Sequence, residues 1–146
     1  MKIGIIGAGN LGQSIAKGIL HSDGATSMYL SKRNTASLDA FKKFNQVTIT
    51  TENEALVKHS DILIFAVQPG QFQDILTEIK EFLTEKHVLI STITGFSIQK
   101  IEALIGHQHF IVRAMPNTAI SGRCVYDLSV CKRSRSKENC HCQSYF

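Results

Sequence analysis

The chain has 146 residues, 43% of them hydrophobic, and a net charge of +4, which is the length of one domain with enough apolar content to build a core. No apolar run approaches the roughly 20 residues that span a bilayer, and Met1-Lys2 leads straight into a strand-like run without signal-peptide architecture, so the expectation is a soluble, cytoplasmic protein with no membrane partner. Residues 1–121 carry 11 Lys/Arg against 10 Asp/Glu, whereas residues 122–146 carry 5 against 2 and all four cysteines; the basic character belongs to the tail, and no nucleic-acid partner is expected for the body.

Taken in order, Ile3, Ile5 and Ile6 form a short buried-strand run that breaks into Gly7-Ala8-Gly9-Asn10-Leu11-Gly12. Leu11, Ile15, Ala16, Ile19 and Leu20 then recur at helical spacing. Strand, glycine turn and helix in that order suit a dinucleotide phosphate cradle: Gly7 for the tight turn, Gly9 for backbone approach to a pyrophosphate, Gly12 for close helix packing. N–H groups at the helix start would face the phosphates.

Asp23-Gly24 reads as a turn, and Met28 to Leu30 as a second strand ending in Ser31-Lys32-Arg33-Asn34. An NAD-preferring site places a carboxylate here, about 20 residues past the glycines, whereas a ribose 2′-phosphate calls for positive charge. Ser31, Lys32 and Arg33 therefore favour NADPH, with NADH second. Leu38, Phe41 and Phe44 suggest a short amphipathic helix, Val47 to Ile49 a brief strand, and Glu52 to Lys58 a second helix.

Ile62 to Val67 is a continuous apolar run of strand length, as in a central parallel strand covered on both faces. It ends at Gln68-Pro69-Gly70, on the sheet edge of the glycine loop if all strands are parallel. Phe72, Ile75, Leu76, Ile79, Phe82 and Leu83 form a helical stripe, with Asp74, Glu78, Lys80 and Glu81 outside it. His87 to Ser91 reads as a fifth strand, Thr92 to Gly95 as its loop, Ser97 as the N-cap of a helix through Ile105, and Phe110 to Val112 as a sixth strand leading into Arg113 to Thr118. This alternation predicts an α/β, Rossmann-like, doubly wound parallel sheet of order 3-2-1-4-5-6.

No catalytic triad can be assembled. The histidines His21, His59, His87, His107 and His109 occur singly without metal spacing, and Ser14, Ser31 and Ser91 lack a nucleophile elbow. The catalytic residues are therefore unassigned, no metal is expected, and the chemistry must come from a bound cofactor.

The segments Ile6 to Asn10, Ala66-Val-Gln-Pro69, Ile93 to Ser97 and above all Val112-Arg-Ala-Met-Pro-Asn-Thr118 resemble pyrroline-5-carboxylate reductase over roughly residues 2–120. The resemblance implies a reductase of proline biosynthesis that transfers hydride from NADPH, or less favourably NADH, to the C=N bond of 1-pyrroline-5-carboxylate. It places the pyrophosphate on Gly7 to Gly12, and the adenosine ribose phosphate on Ser31 with Lys32 and Arg33. Asn53 would also touch the adenosine end. Val67, Gln68, Pro69 and Thr94 would lie against the ribose and nicotinamide, Ala66 would also contact the cofactor, and Met115, Pro116 and Asn117 would form the floor of the substrate pocket. Gln68 stands where the family more often has lysine. The family continues into an all-helical domain that makes the homo-oligomer and completes the substrate pocket. The expected organisation of this chain is an NADP(H)-binding domain at 1–120 without that dimerisation domain, a truncated form with doubtful activity. A non-catalytic NADP(H)-binding module and another imine or 3-hydroxyacid reductase of similar architecture are the alternatives.

Residues 121–146 show no helical or strand periodicity and are read as an aberrant, disordered or frameshifted tail. Cys124, Cys131, Cys140, His141 and Cys142 contain no Cys-x-x-Cys pair, which disfavours zinc. Lys132, Arg133, Arg135 and Lys137 could form a basic arm. Codons allowed for Tyr126 to Phe146, read one nucleotide later, can also encode an amphipathic sequence similar to the family's continuation.

Overall fold

The computed structural model describes residues 1–22, 25–106 and 108–114 in full, and the backbone of the strand residues 115–117, 125–131 and 142–145. Its elements are β1 (Lys2–Ile6), α1 (Asn10–His21), β2 (Ser27–Ser31), a 3-10 helix (Thr35–Phe41), β3 (Val47–Thr50), α2 (Asn53–Lys58), β4 (Ile62–Phe65), α3 (Pro69–Ile79) with a terminal 3-10 turn (Lys80–Phe82), β5 (Val88–Ser91), α4 (Ile98–Ile105), β6 (Phe110–Asn117), β7 (Val125–Cys131) and β8 (Cys142–Tyr145). The predicted turn at Asp23-Gly24, His107 and Thr118 lie outside the described residues.

The first six strands are parallel and ordered β3-β2-β1-β4-β5-β6, as the alternating pattern predicts. Ile3 on β1 pairs with Met28 on one side and Ile62 on the other. The strand order therefore reverses at β1, and the carboxyl ends of β1, β2 and β4 open onto one crevice.

Two apolar layers hold this sheet. Leu63 and Phe65 of β4 join Ile6, Leu56, Phe72, Leu76 and Ile101 on one face, under α2, α3 and α4. Ile64, with Ile3, Ile5, Ile15, Met28 and Leu38, lies on the other face, under α1 and the 3-10 helix. This two-sided burial explains why β4 is apolar at every position rather than at alternate ones. Among the described residues, no helix is long and apolar enough to cross a membrane.

Local differences from expectation have physical causes. The helix expected around Leu38 to Phe44 is a 3-10 helix capped by Asn34, whose Oδ1 accepts the Ala36 N–H at 3.1 Å. Its apolar residues recur every third position, which matches three residues per turn. The stripe through Leu83 divides into α3 and a tighter last turn. Ser97 caps α4 as expected, accepting the Lys100 N–H at 3.2 Å.

The largest differences lie at the carboxyl end. Strand β6 continues through Arg113 to Asn117 instead of ending at Val112. It pairs antiparallel with β7, which pairs antiparallel with β8. Strands β7 and β8 thus lie within 121–146, the stretch read from sequence as showing no strand periodicity. Tyr126, Leu128 and Val130 alternate with Asp127 and Ser129, a period-two signal hidden by the charged and cysteine-rich residues after it. Without β7, the last parallel strand would present an unpaired row of N–H and C=O groups.

Candidate dinucleotide-binding cleft

At the end of β1, Gly7 takes a positive φ of 87°. A Cβ there would lie 2.3 Å from Val67 Cγ1, so both its conformation and its contact with the end of β4 exclude a side chain. The Gly7 and Ala8 N–H groups both donate to the Ser31 carbonyl, at 3.1 and 2.9 Å, pinning the turn to the end of β2. A Cβ on Gly12 would lie 2.6 Å from the Gly7 carbonyl oxygen, so the helix can approach the turn only because the side chain is absent.

Gly9 differs. It is the N-cap of α1, it gives the helix no side-chain cap, and the first turn holds no acidic residue. Nothing lies within 4 Å of where its Cβ would be. Open space over Gly9 and helix N–H groups without a side-chain acceptor fit the pyrophosphate of a dinucleotide.

These elements border a cleft of about 530 Å³ lined by Ile6, Gly7, Gly9, Ser31, Lys32, Arg33, Asn34, Thr51, Asn53, Ala66, Val67, Gln68, Gln71, Ile75 and Glu78. Three loop systems meet there because β1, β2 and β4 are adjacent and parallel. Two aromatic contacts brace its α3 wall: Phe72 packs edge-on against Phe65 at 5.3 Å and against Phe96 at 5.0 Å between ring centroids. Thr92 ties the end of β5 to β4 by donating from Oγ1 to the Phe65 carbonyl at 2.7 Å.

The far end of the cleft is polar. Ser31 is only 2% exposed, and its Oγ donates to Asn53 Oδ1 at 2.7 Å. Asn53 Nδ2 in turn reaches the two Glu78 carboxylate oxygens at 3.5 and 3.4 Å. Lys32 Nζ donates to Ser37 Oγ at 2.7 Å. Neither Lys32 nor Arg33 is in an ion pair with another described residue.

Of the residues singled out from sequence, Gly7, Gly9, Ser31, Lys32, Arg33, Asn53, Ala66, Val67 and Gln68 line the cleft. Ala8 is fully buried beneath the turn. Asn10, Leu11 and Gly12 form the first turn of α1, and Pro69 is the first residue of α3. Thr94 is exposed in the loop after β5 and does not border the cleft. Met115, Pro116 and Asn117 are placed as backbone of β6, in register with Asp127, Tyr126 and Val125.

Residues 2–95 match the family described as NADP oxidoreductase, coenzyme F420-dependent. The chain belongs to that family. The chain is 40% identical to pyrroline-5-carboxylate reductase 1 of Dictyostelium discoideum, over 81% of its own length and 22% of the relative's. It is similar to the structure of a pyrroline-5-carboxylate reductase from Coxiella burnetii, with TM-score 0.73, 32% identity, and 80% and 44% of the two chains covered. It is also similar to the Plasmodium falciparum pyrroline carboxylate reductase with NADP bound, with TM-score 0.68, 31% identity, and 81% and 43% covered. The chain spans less than half the length of these relatives.

Gln71, Ile75 and Glu78 are the α3 residues that sequence reasoning missed. Glu78 was expected on the solvent side of the helix, yet it borders the cleft. The available signal was spacing: positions 71, 75 and 78 are four and three apart and share one helix face. That face abuts the core stripe, and only the placement of α2 beside α3 turns it toward Asn53.

Proposed function

We propose that residues 1–120 form the NADPH-binding domain of a pyrroline-5-carboxylate reductase, and that the whole protein reduces 1-pyrroline-5-carboxylate to L-proline. The observation that carries this reading is the convergence, in one cleft, of the glycine turn with Ser31, Lys32 and Arg33, without a carboxylate at the end of β2. The identity to pyrroline-5-carboxylate reductases supports the choice of reaction.

In this proposal the first turn of α1 holds the pyrophosphate through backbone N–H groups, and Lys32 and Arg33 meet the 2′-phosphate with positive charge. Asn53 borders the adenosine end. Ala66 to Pro69 hold the ribose and nicotinamide, and Met115, Pro116 and Asn117 form the floor under the imine. Bound NADPH supplies the hydride. The chain's own contribution is orientation: a rigid cradle fixes where the nicotinamide face lies, so that two reacting carbons can meet in a near-attack pose.

Fluorescence titration tests the binding step, with saturable NADPH binding expected of the 146-residue chain. Steady-state NADPH oxidation with pyrroline-5-carboxylate tests the reaction. A full-length form is expected to turn over, and the 146-residue chain, spanning less than half of its relatives, much less. NADPH binding without imine reduction by the full-length form would instead indicate a non-catalytic binding module.

A further inference from the structure

The end of β2 carries no carboxylate, but the cleft does. Glu78 reaches it from α3, across α2, through Asn53. A carboxylate can only accept hydrogen bonds, so it decides how the Asn53 amide is turned: the NH₂ faces Glu78 and the oxygen faces Ser31. The Ser31 hydroxyl proton is then drawn to Asn53 Oδ1, and Ser31 offers the cleft a lone pair rather than a hydrogen.

This order of donors has a chemical preference. A ribose hydroxyl can donate to Ser31 Oγ or to the Glu78 carboxylate. A 2′-phosphate can only accept, so it must take the Ser31 proton away from Asn53, and it also brings negative charge toward Glu78. Lys32 and Arg33 act in the opposite sense.

We infer that Glu78 is a cofactor-specificity residue: it supports the unphosphorylated ribose and opposes the 2′-phosphate, so that its balance with Lys32 and Arg33 sets the NADPH/NADH ratio. This rests on the dinucleotide reading of the cleft. Because Glu78 is exposed, solvent and salt screen its charge and the effect is moderate.

The test is equilibrium binding of NADPH and NADH, each followed by nicotinamide fluorescence, to the 146-residue chain and to Glu78→Gln and Glu78→Lys. Glu78→Gln removes the charge and lets Asn53 turn over, and it is expected to shift the affinity ratio toward NADPH by about three- to tenfold at low salt. Glu78→Lys is expected to shift it further in the same direction, and high salt to shrink both shifts. That graded response follows charge and would not arise from loss of a helix contact, which would weaken both cofactors together. Wild-type binding with a ratio unmoved by either variant overturns the inference alone. Failure of the wild type to bind either cofactor overturns the dinucleotide reading and this inference with it.

Discussion

The two ends of the cleft are built on different principles. At the glycine turn, geometry is set by steric exclusion: Gly7 has no room for a Cβ against Val67, and Gly12 has none against the Gly7 carbonyl. At the polar end, geometry is set by a chain of side-chain hydrogen bonds through Ser31, Asn53 and Glu78 on three different elements. Ser31 joins the two, since its carbonyl pins the turn and its hydroxyl begins the chain. The difference teaches that the first end is rigid and intolerant of change, whereas the second can be tuned without damage to the fold.

Gly7→Ala attacks the rigid end directly. The positive φ and the Val67 contact together are expected to cost about 2–4 kcal/mol of stability and to abolish cofactor binding; thermal denaturation and NADPH titration measure the two effects. Gly9→Ala separates them. Its Cβ would meet nothing in the protein, so stability should stay within about 1 kcal/mol of wild type, as for other Gly-to-Ala changes at an N-cap. Its NADPH affinity should nevertheless fall about tenfold or more, because the methyl group occupies the space of the pyrophosphate. Unchanged NADPH binding by Gly9→Ala would contradict the phosphate assignment.

At the tunable end, replacing Lys32 and Arg33 together by alanine is expected to weaken NADPH about tenfold while leaving NADH nearly unchanged, with the loss reduced by salt. Equal weakening of both cofactors would show that these residues act on something other than the 2′-phosphate. A surface control completes the series. Lys42 and Asp39 form a 2.7 Å ion pair with both side chains about two-thirds exposed (67% and 65%). Asp39→Ala should change stability by less than about 0.5 kcal/mol in a denaturant titration and leave both cofactors unaffected.

Much of this was legible in the chain itself. The order β3-β2-β1-β4-β5-β6 followed from six alternations of apolar strand and amphipathic helix, and Ser97 and Gly106 marked the ends of α4 through local capping chemistry. Gly7, Gly9 and Gly12 were readable from their spacing between a strand and a helix, and the Gly12 constraint acts on its near neighbour Gly7, but the contact that denies Gly7 a side chain is with Val67 on a distant strand end. Strand β7 was harder, since its five-residue alternation is short and its partner β6 was expected to end three residues earlier than Met115.

By itself, then, the sequence determined the parallel sheet, the glycine turn and the basic end of β2, because each is written in contiguous residues through hydrophobic period, backbone freedom or local charge. Only the tertiary structure decided that Ser31 anchors the turn, and that Gln71, Ile75 and Glu78 face the cleft. Those relations join residues from 22 to 25 positions apart, Ser31 to Asn53 and Asn53 to Glu78, and no periodicity within one helix specifies which neighbouring helix its polar edge will meet.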